Sequence, residues 1–272
     1  MIKIPREFAG INGKEAYERI MNEVSGEKDN SENKNSENGV FEFKNSNIVK
    51  SDYIQIPGTG KVISKYEIAG HNNLNWQDTH FKLHENGLYM PVIPLFSKHF
   101  VNVIDSYNSN GKRPLFDANA NPVSQKETKD IYNHLTKNHI ASYEKEGGNQ
   151  EGAWTWLDAF FREDNGMKIL SEHKTIISNG NKALLPGKTE ALENCLMEDC
   201  FSELIFNSQG LPTAKFTNQN YIQGKNIKFW FPRNGAVARF DADSGRASLY
   251  CHWVPSDRDS SLGVFAVAQA GS

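Results

Sequence analysis

The chain has 272 residues, a net charge of −3 and 38% hydrophobic residues, which is enough for one large domain or two small ones. The nearly balanced charge excludes a broadly basic nucleic-acid surface, because phosphate binding needs clustered positive charge. The sequence has neither an apolar run long enough for a membrane span nor a secretory signal at its N-terminus, so we expect no nucleic-acid partner and no membrane span.

The N-terminal part alternates between ordered and polar segments. Apolar residues at helical spacing predict a short helix over residues 14–24. Residues 25–39 are polar and low in complexity, so we expect a mobile loop. Residues 53–68 predict two strands around the turn at residues 57–60, which reads Pro-Gly-Thr-Gly.

The segment 79–105 is rich in aromatic and β-branched residues, a composition that predicts two or three strands. It contains His80 and His84, which on a helix would share one face as metal ligands. On a strand the same two residues lie about 13 Å apart, too far to share a metal. We therefore expect no metal site here.

The segment 126–145 predicts the best helix of the chain, with Ser124 as its cap and Glu127 completing a capping box. Residues 152–163 predict either a buried strand or the start of a short helix. The cysteines Cys195 and Cys200 lack a second pair at zinc-site spacing, which favours buried thiols.

The C-terminal segment uses a different set of charged residues from the rest of the chain. From Phe231 to Ser272 there is no Lys, Glu or Met, yet four of the eight Arg and four of the 13 Asp lie there. Residues 226–232 predict a strand, and a hairpin with strict alternation follows. One side of the hairpin predicts a core and carries Ala238, Phe240, Ala242, Ala247, Leu249, Cys251 and Trp253. The other side predicts an exposed face and carries Arg239, Asp241, Asp243, Arg246, Ser248, Tyr250 and His252.

This C-terminal segment resembles the variable region of the variable proteins of diversity-generating retroelements. In that family an error-prone reverse transcriptase randomises template adenines, so that AAY codons become NNY codons, which cannot encode Lys, Glu, Gln, Met or Trp. The residue types missing between Phe231 and Ser261 match this rule, with Trp253 as the exception. The final stretch 262–268 resembles the family's last strand. The chain lacks the common Gly-Phe-Arg ending, which makes it more similar to the divergent archaeal or archaeal-virus members.

The resemblance implies an α+β protein with a C-type lectin-like fold. Residues 1–225 would form the scaffold and residues 226–272 the variable region and closing strand of the same domain. The implied function is ligand binding by a surface that the retroelement diversifies. The positions expected to bind or vary are Phe231, Arg233, Asn234, Arg239, Asp241, Asp243, Ser244, Arg246, Ser248, Tyr250, His252, Val254, Asp257, Arg258, Asp259 and Ser260.

Other functions remain open at this level. An invariant receptor-binding or carbohydrate-binding module of a virion would use the same face. Asp241, Asp243 and His252 could form an acid–base cluster, but an open strand face favours no enzyme and no cofactor. The tripeptides of calcium-dependent sugar sites are absent. We expect a monomer that binds a protein or a glycan, either on a virion or in a host cytoplasm.

Overall fold

The computed structural model describes residues 7–8, 11–12, 48–136, 152–178, 181–242 and 245–269. The helix predicted over residues 14–24, the mobile loop predicted over residues 25–39 and the part of the predicted helix 126–145 after residue 136 lie outside the described residues. Within the described ranges the protein combines three α-helices with two larger β-sheets. This confirms the α+β class.

The helices are α1 (Trp76–Glu85), α2 (Ile93–Asn108) and α3 (Gln125–Thr136). Helix α1 begins after Asn75, whose side-chain oxygen accepts a hydrogen bond of 2.7 Å from the backbone N–H of Asp78. The predicted cap of α3 is confirmed, because Ser124 Oγ accepts a bond of 3.2 Å from the N–H of Glu127.

The strands predicted over residues 79–105 are wrong, since α1 and α2 occupy most of this segment. The physical reason is spacing. Phe96, Phe100 and Ile104 recur every four residues and are buried on one side of α2. Tertiary packing of this stripe outweighs the strand preference of the β-branched residues. His80 and His84 therefore lie one helical turn apart on α1, although only His80 is buried.

A three-stranded antiparallel sheet holds β3 (Tyr53–Ile56), β4 (Lys61–Ser64) and the last strand, β12 (Val267–Gln269), in the order β12-β4-β3. This confirms the two strands predicted in residues 53–68. A separate short pair joins β1 (Glu7–Phe8) and β2 (Ile11–Asn12). Only the end of the predicted closing strand 262–268 pairs with a neighbouring strand, although all seven of its residues are buried.

The larger sheet has seven strands in the order β7-β6-β5-β10-β11-β9-β8. They are β5 (Trp154–Asp164), β6 (Met167–Ser178), β7 (Asn181–Ala191), β8 (Cys200–Glu203), β9 (Asn226–Trp230), β10 (Ala236–Asp241) and β11 (Ser248–Trp253). Residues 152–163 are thus mostly strand. The predicted C-terminal hairpin is confirmed as β10 and β11. It lies inside the sheet, because β10 also pairs with β5 and β11 pairs in parallel with β9.

Two hydrophobic cores hold the sheet. The helix-side core joins Phe96 and Phe100 of α2 to Phe240 and Leu249 of the hairpin. The second core lies around Trp76 of α1 and takes in part of the opposite side of the sheet. Burial confirms six of the inward residues predicted for the hairpin, which are Ala238, Phe240, Ala242, Ala247, Leu249 and Cys251.

Candidate functional site: the aromatic face of the sheet

Two rows of side chains cross the side of the sheet opposite the helix-side core. Paired residues of neighbouring strands point to the same side. The first row runs from β8 to β5 through Phe201, Lys228, Ser248, Asp241 and Trp154. The second row runs through Trp230, Tyr250, Arg239 and Trp156. We call the aromatic face the set Trp154, Phe201, Lys228, Trp230, Arg239, Asp241, Ser248, Tyr250, His252 and Trp253.

A β-bulge brings Trp253 onto this face. Arg239 pairs with Tyr250, but Val237, two residues earlier, pairs with Trp253, so β11 holds one extra residue between the two pairs. The extra residue reverses the alternation, because each one-residue shift moves a side chain to the other side of the sheet. The inward orientation predicted for Trp253 is therefore wrong.

Arg239 lies buried in a cage of aromatic rings. Its guanidinium carbon is 3.5 Å from the ring centre of Trp253, 4.8 Å from that of Trp154 and 4.9 Å from that of Tyr250. Its Nη2 donates a bond of 3.0 Å to a carboxylate oxygen of Asp241. Burial lowers the pKa of Arg239, while the charge of Asp241 favours the protonated form. Cation–π contacts and the ion pair together hold the buried charge.

The predicted exposure of Arg239, Asp241 and Ser248 is wrong, since all three are buried. The reason is the central position of the hairpin, where rings from β5, β11 and the bulge close over these side chains. Among the other positions expected to bind or vary, the exposed ones are Arg233, Asn234, Val254, Arg258 and Ser260. Half-buried positions are Phe231, Arg246, Tyr250, His252, Asp257 and Asp259. Asp243 and Ser244 lie outside the described residues.

Phe231 differs from the other half-buried positions because it packs against the helix-side core. Nearby, Arg233 forms an ion pair of 3.3 Å with Asp199. Burial, followed by the charge of Arg233, lowers the pKa of His252, so its ring is neutral at pH 7. The end of the hairpin therefore carries a neutral imidazole beside an exposed but paired arginine.

The loop 254–261 is docked on the start of α1. The N–H of Trp76 donates to the carbonyl of Pro255 at 3.1 Å, and the N–H of Asn73 donates to that of Asp259 at 3.0 Å. Arg258 also forms an ion pair with Asp78. The backbone of the loop is thus fixed while the side chains of its exposed residues point to solvent.

Partnerless polar atoms concentrate on the aromatic face. Among the described residues, ten buried side-chain nitrogen or oxygen atoms have no hydrogen-bond partner. Six of them lie on or beside this face: Trp154 Nε1, Trp230 Nε1, Arg239 Nε, Arg246 Nε, Ser248 Oγ and His252 Nδ1. Buried polar groups in native proteins are nearly always satisfied, so their clustering distinguishes this side of the sheet from an ordinary packed core, although the six atoms are themselves covered by neighbouring side chains.

No family model, no curated protein and no solved structure matches the chain. The geometry of the aromatic face therefore carries the functional interpretation. Within the described ranges, no helix combines the length and hydropathy needed to cross a bilayer.

Five residues of the aromatic face were not among the positions expected to bind or vary: Trp154, Phe201, Lys228, Trp230 and Trp253. Two of them could have been found from the strand predicted over residues 226–232. Lys228 and Trp230 alternate there with Ile227 and Phe229, which are buried, so the pattern places them on the opposite side. Trp154 and Phe201 join the face only through pairing with distant strands, which no local pattern shows.

A second group of polar side chains, also buried, lies around Asp158 of β5. One oxygen of Asp158 is 3.0 Å from His173 Nδ1 and 3.5 Å from His80 Nε2. Burial lowers the pKa of His80 to about 4, so this ring is neutral at pH 7, and it packs edge-on against Trp76. No group of three or more His, Cys, Asp or Glu in the described part of the chain is arranged to hold a metal ion. The cluster ties α1 to the sheet.

A cleft of about 760 Å³ lies on the side of β4 and α1, away from the aromatic face, and His71, Lys65 and Glu67 are among its lining residues. Three of its charged groups already have partners. Lys65 pairs with Glu127 at 2.6 Å, and Glu67 binds His134 at 2.7 Å. These contacts stabilise the fold, which leaves Lys65, Glu67 and Glu127 less available to a ligand.

Proposed function

We propose that the protein binds a macromolecular ligand through the aromatic face and the exposed residues beside it, without catalysis. The observation that carries this proposal is the group of half-buried aromatic rings, Trp230, Tyr250, His252 and Trp253, that surrounds the buried ion pair of Arg239 and Asp241. Trp, Tyr and Arg are the residues enriched at binding hot spots, where a ring gives area and a polar atom gives direction. Tyr250 lies near the centre, with the rings of Trp230 and Trp253 5.5 and 5.4 Å away.

The proposal includes diversification of the C-terminal segment by a retroelement through adenine mutagenesis. Its support is the absence of Lys, Glu and Met after Phe231, combined with a docked backbone and exposed side chains in loop 254–261. Buried Arg239, Asp241 and Ser248 narrow the set of positions that can change without loss of stability. Variation should therefore concentrate at Arg233, Asn234, Val254, Arg258 and Ser260.

The proposal also includes a C-type lectin-like fold. Two features support it. The C-terminal strand β12 pairs with β4 from the start of the described domain, and the hairpin that precedes it is built into the main sheet. Residues 226–272 and the preceding scaffold would then be one folding unit, as the resemblance implies.

Sequencing of the locus tests diversification. A near-identical repeat of the coding segment for residues 229–268 should lie next to a reverse transcriptase gene. Differences between the two copies should fall at template adenines, in the codons of the exposed positions, and spare Phe240, Leu249 and Trp253. If the locus has no such repeat, diversification is wrong, and the face belongs instead to an invariant receptor-binding or carbohydrate-binding module.

A further inference from the structure

The aromatic face extends beyond the positions expected to bind or vary. Phe201 of β8 pairs with Lys228 of β9, and Trp230 of β9 pairs with Tyr250 of β11. These side chains are half-buried, and none is covered to the degree of Arg239 or Trp156. The more accessible half of the face is thus formed by strands β8, β9 and β11. We call Phe201, Lys228, Trp230, Tyr250 and His252 the platform.

The rings of the platform lie close together. The planes of Trp230 and Tyr250 are within 7° of parallel, with centres 5.5 Å apart. His252 lies 5.4 Å from Trp230 and 5.7 Å from Tyr250. Two polar atoms here, Trp230 Nε1 and His252 Nδ1, have no partner among the described residues. Both atoms are covered by neighbouring side chains, so an incoming segment would contact the half-buried rings rather than these two atoms.

Lys228 gives the platform its charge. Its ammonium nitrogen is 5.1 Å from the ring centre of Phe201 and 5.0 Å from that of Trp230. No described carboxylate lies within salt-bridge distance of it. The nearby acids are engaged, because Asp199 pairs with Arg233 and Asp241 pairs with Arg239. The platform therefore carries a lysine charge that the described residues leave without an acidic partner.

We propose that the platform binds an acidic segment of a protein partner, with a carboxylate on Lys228 and apolar side chains on Trp230 and Tyr250. This inference rests on the proposed function and extends the binding surface to three residues, Phe201, Lys228 and Trp230, that were not among the positions expected to bind or vary. A nucleic acid would need several clustered cations for its phosphates, whereas the platform has one lysine. A neutral glycan would leave the lysine charge unmatched, whereas an acidic segment complements it.

The test uses the full chain as bait for a random peptide display library. Enriched peptides should carry Asp or Glu beside apolar residues, and binding of the synthesised peptides is measured by fluorescence anisotropy. The substitution Lys228→Met should weaken binding about tenfold or more, because the carboxylate loses its partner. Lys215→Met is the matched control, since Lys215 is exposed and paired with Glu198, and it should change binding by less than about twofold.

Salt supplies a second readout that does not depend on folding. Added NaCl should weaken binding to the unsubstituted protein more than binding to the Lys228→Met variant, because only the former has the ion pair to screen. Trp230→Ala should weaken binding in both low and high salt. The thermal melting of each variant is measured alongside, so that loss of fold is separated from loss of the platform.

Several outcomes would overturn the inference. It is wrong if no peptide is enriched, if the enriched peptides lack acidic residues, or if Lys228→Met binds them as well as Lys215→Met does. It is also wrong if a single-stranded oligonucleotide or a glycan competes for the platform more strongly than the peptides. If Tyr250→Ala abolishes peptide binding while Lys228→Met has no effect, the proposed function stands, but the inference that the partner is an acidic segment is wrong. If Lys228→Met abolishes binding while Tyr250→Ala and changes at the exposed positions have no effect, the acidic partner stands, and the proposed role of the variable positions in recognition is wrong.

Discussion

The two sides of strands β10 and β11 are built from the same backbone and bury their residues in different ways. On the helix side, Phe240 and Leu249 pack against aromatic residues of α2. On the other side, Arg239 and Asp241 are also buried, but among rings and partnerless polar atoms. Burial alone therefore does not separate scaffold from binding surface. The chemistry of the packing separates them, because the helix side packs apolar side chains together and the other side packs aromatic rings around an ion pair.

The comparison predicts that the helix-side core is the most sensitive part of the hairpin. Phe240→Ala should lower the free energy of unfolding by about 3–5 kcal/mol, and Leu249→Ala by about 2–5 kcal/mol, because each leaves a cavity in closely packed surroundings. Urea denaturation of the purified variants measures this. A loss below about 1 kcal/mol would mean that the helix side is loosely packed and that the two sides do not differ.

The Arg239–Asp241 pair should come next. Asp241→Ala leaves a buried guanidinium without its carboxylate, so we expect a loss of about 3 kcal/mol in the free energy of unfolding. The paired change Arg239→Met with Asp241→Leu should cost less than the single change, because no charge is then left buried. A double-mutant cycle made of Arg239→Met, Asp241→Leu and the paired change, followed by urea denaturation, measures the coupling. A coupling energy near zero would show that the aromatic rings of the cage, rather than Asp241, stabilise the buried charge of Arg239.

Acid should destabilise both sides of the sheet through buried neutral histidines. Burial lowers the pKa of His99, in the helix-side core, to about 3 and that of His80, beside the second core, to about 4. The unfolded chain takes up these protons near pH 6.5 and the folded chain does not, so stability falls as the pH drops below 6.5. Between pH 6 and pH 5 the two histidines together should cost about 2 kcal/mol.

Single replacements sharpen this result. His99→Leu should remove its share of the pH dependence and leave that of His80, and His80→Gln should do the converse. Denaturation curves collected across this pH range give the slope for each variant. An unchanged slope in both variants would place the acid sensitivity elsewhere, for example in the carboxylates of the surface ion pairs.

The sequence shows the alternation of the hairpin but not its place in the sheet. Alternation depends on neighbours in the chain, so Phe240, Leu249 and Cys251 could be placed in a core from the pattern alone. Whether the opposite side is exposed depends on β5 and β9, whose pairing is set by tertiary contacts. The burial of Arg239 and Asp241 could not be predicted for this reason. The bulge that moves Trp253 to the aromatic face leaves no mark in a strictly alternating segment.

Tyr250 should be the most sensitive single residue for binding, although its loss changes stability less than a core substitution. Tyr250→Ala should weaken ligand binding by about 2 kcal/mol or more, because a central ring excludes water from the contact. Tyr89→Ala is the matched control, since Tyr89 is 52% exposed and lies outside the aromatic face. Partners captured from host or neighbouring-cell extracts by the unsubstituted protein are titrated against both variants. Equal binding by both variants would place the ligand site outside the aromatic face.

The smallest effects on stability should come from the exposed positions beside the face. Replacing Arg233, Asn234, Val254, Arg258 or Ser260 with another residue that an NNY codon encodes should change the free energy of unfolding by about 0.5 kcal/mol or less each. The ion pairs of Arg233 with Asp199 and of Arg258 with Asp78 are exposed, and such pairs contribute little. The docked backbone of loop 254–261 is held by main-chain bonds from Asn73 and Trp76, which these changes leave intact. Thermal melting of a variant that carries all five changes tests whether their combined effect on stability is also small. A loss as large as that of Phe240→Ala would show that the loop side chains are structural, and diversification could not then act on them.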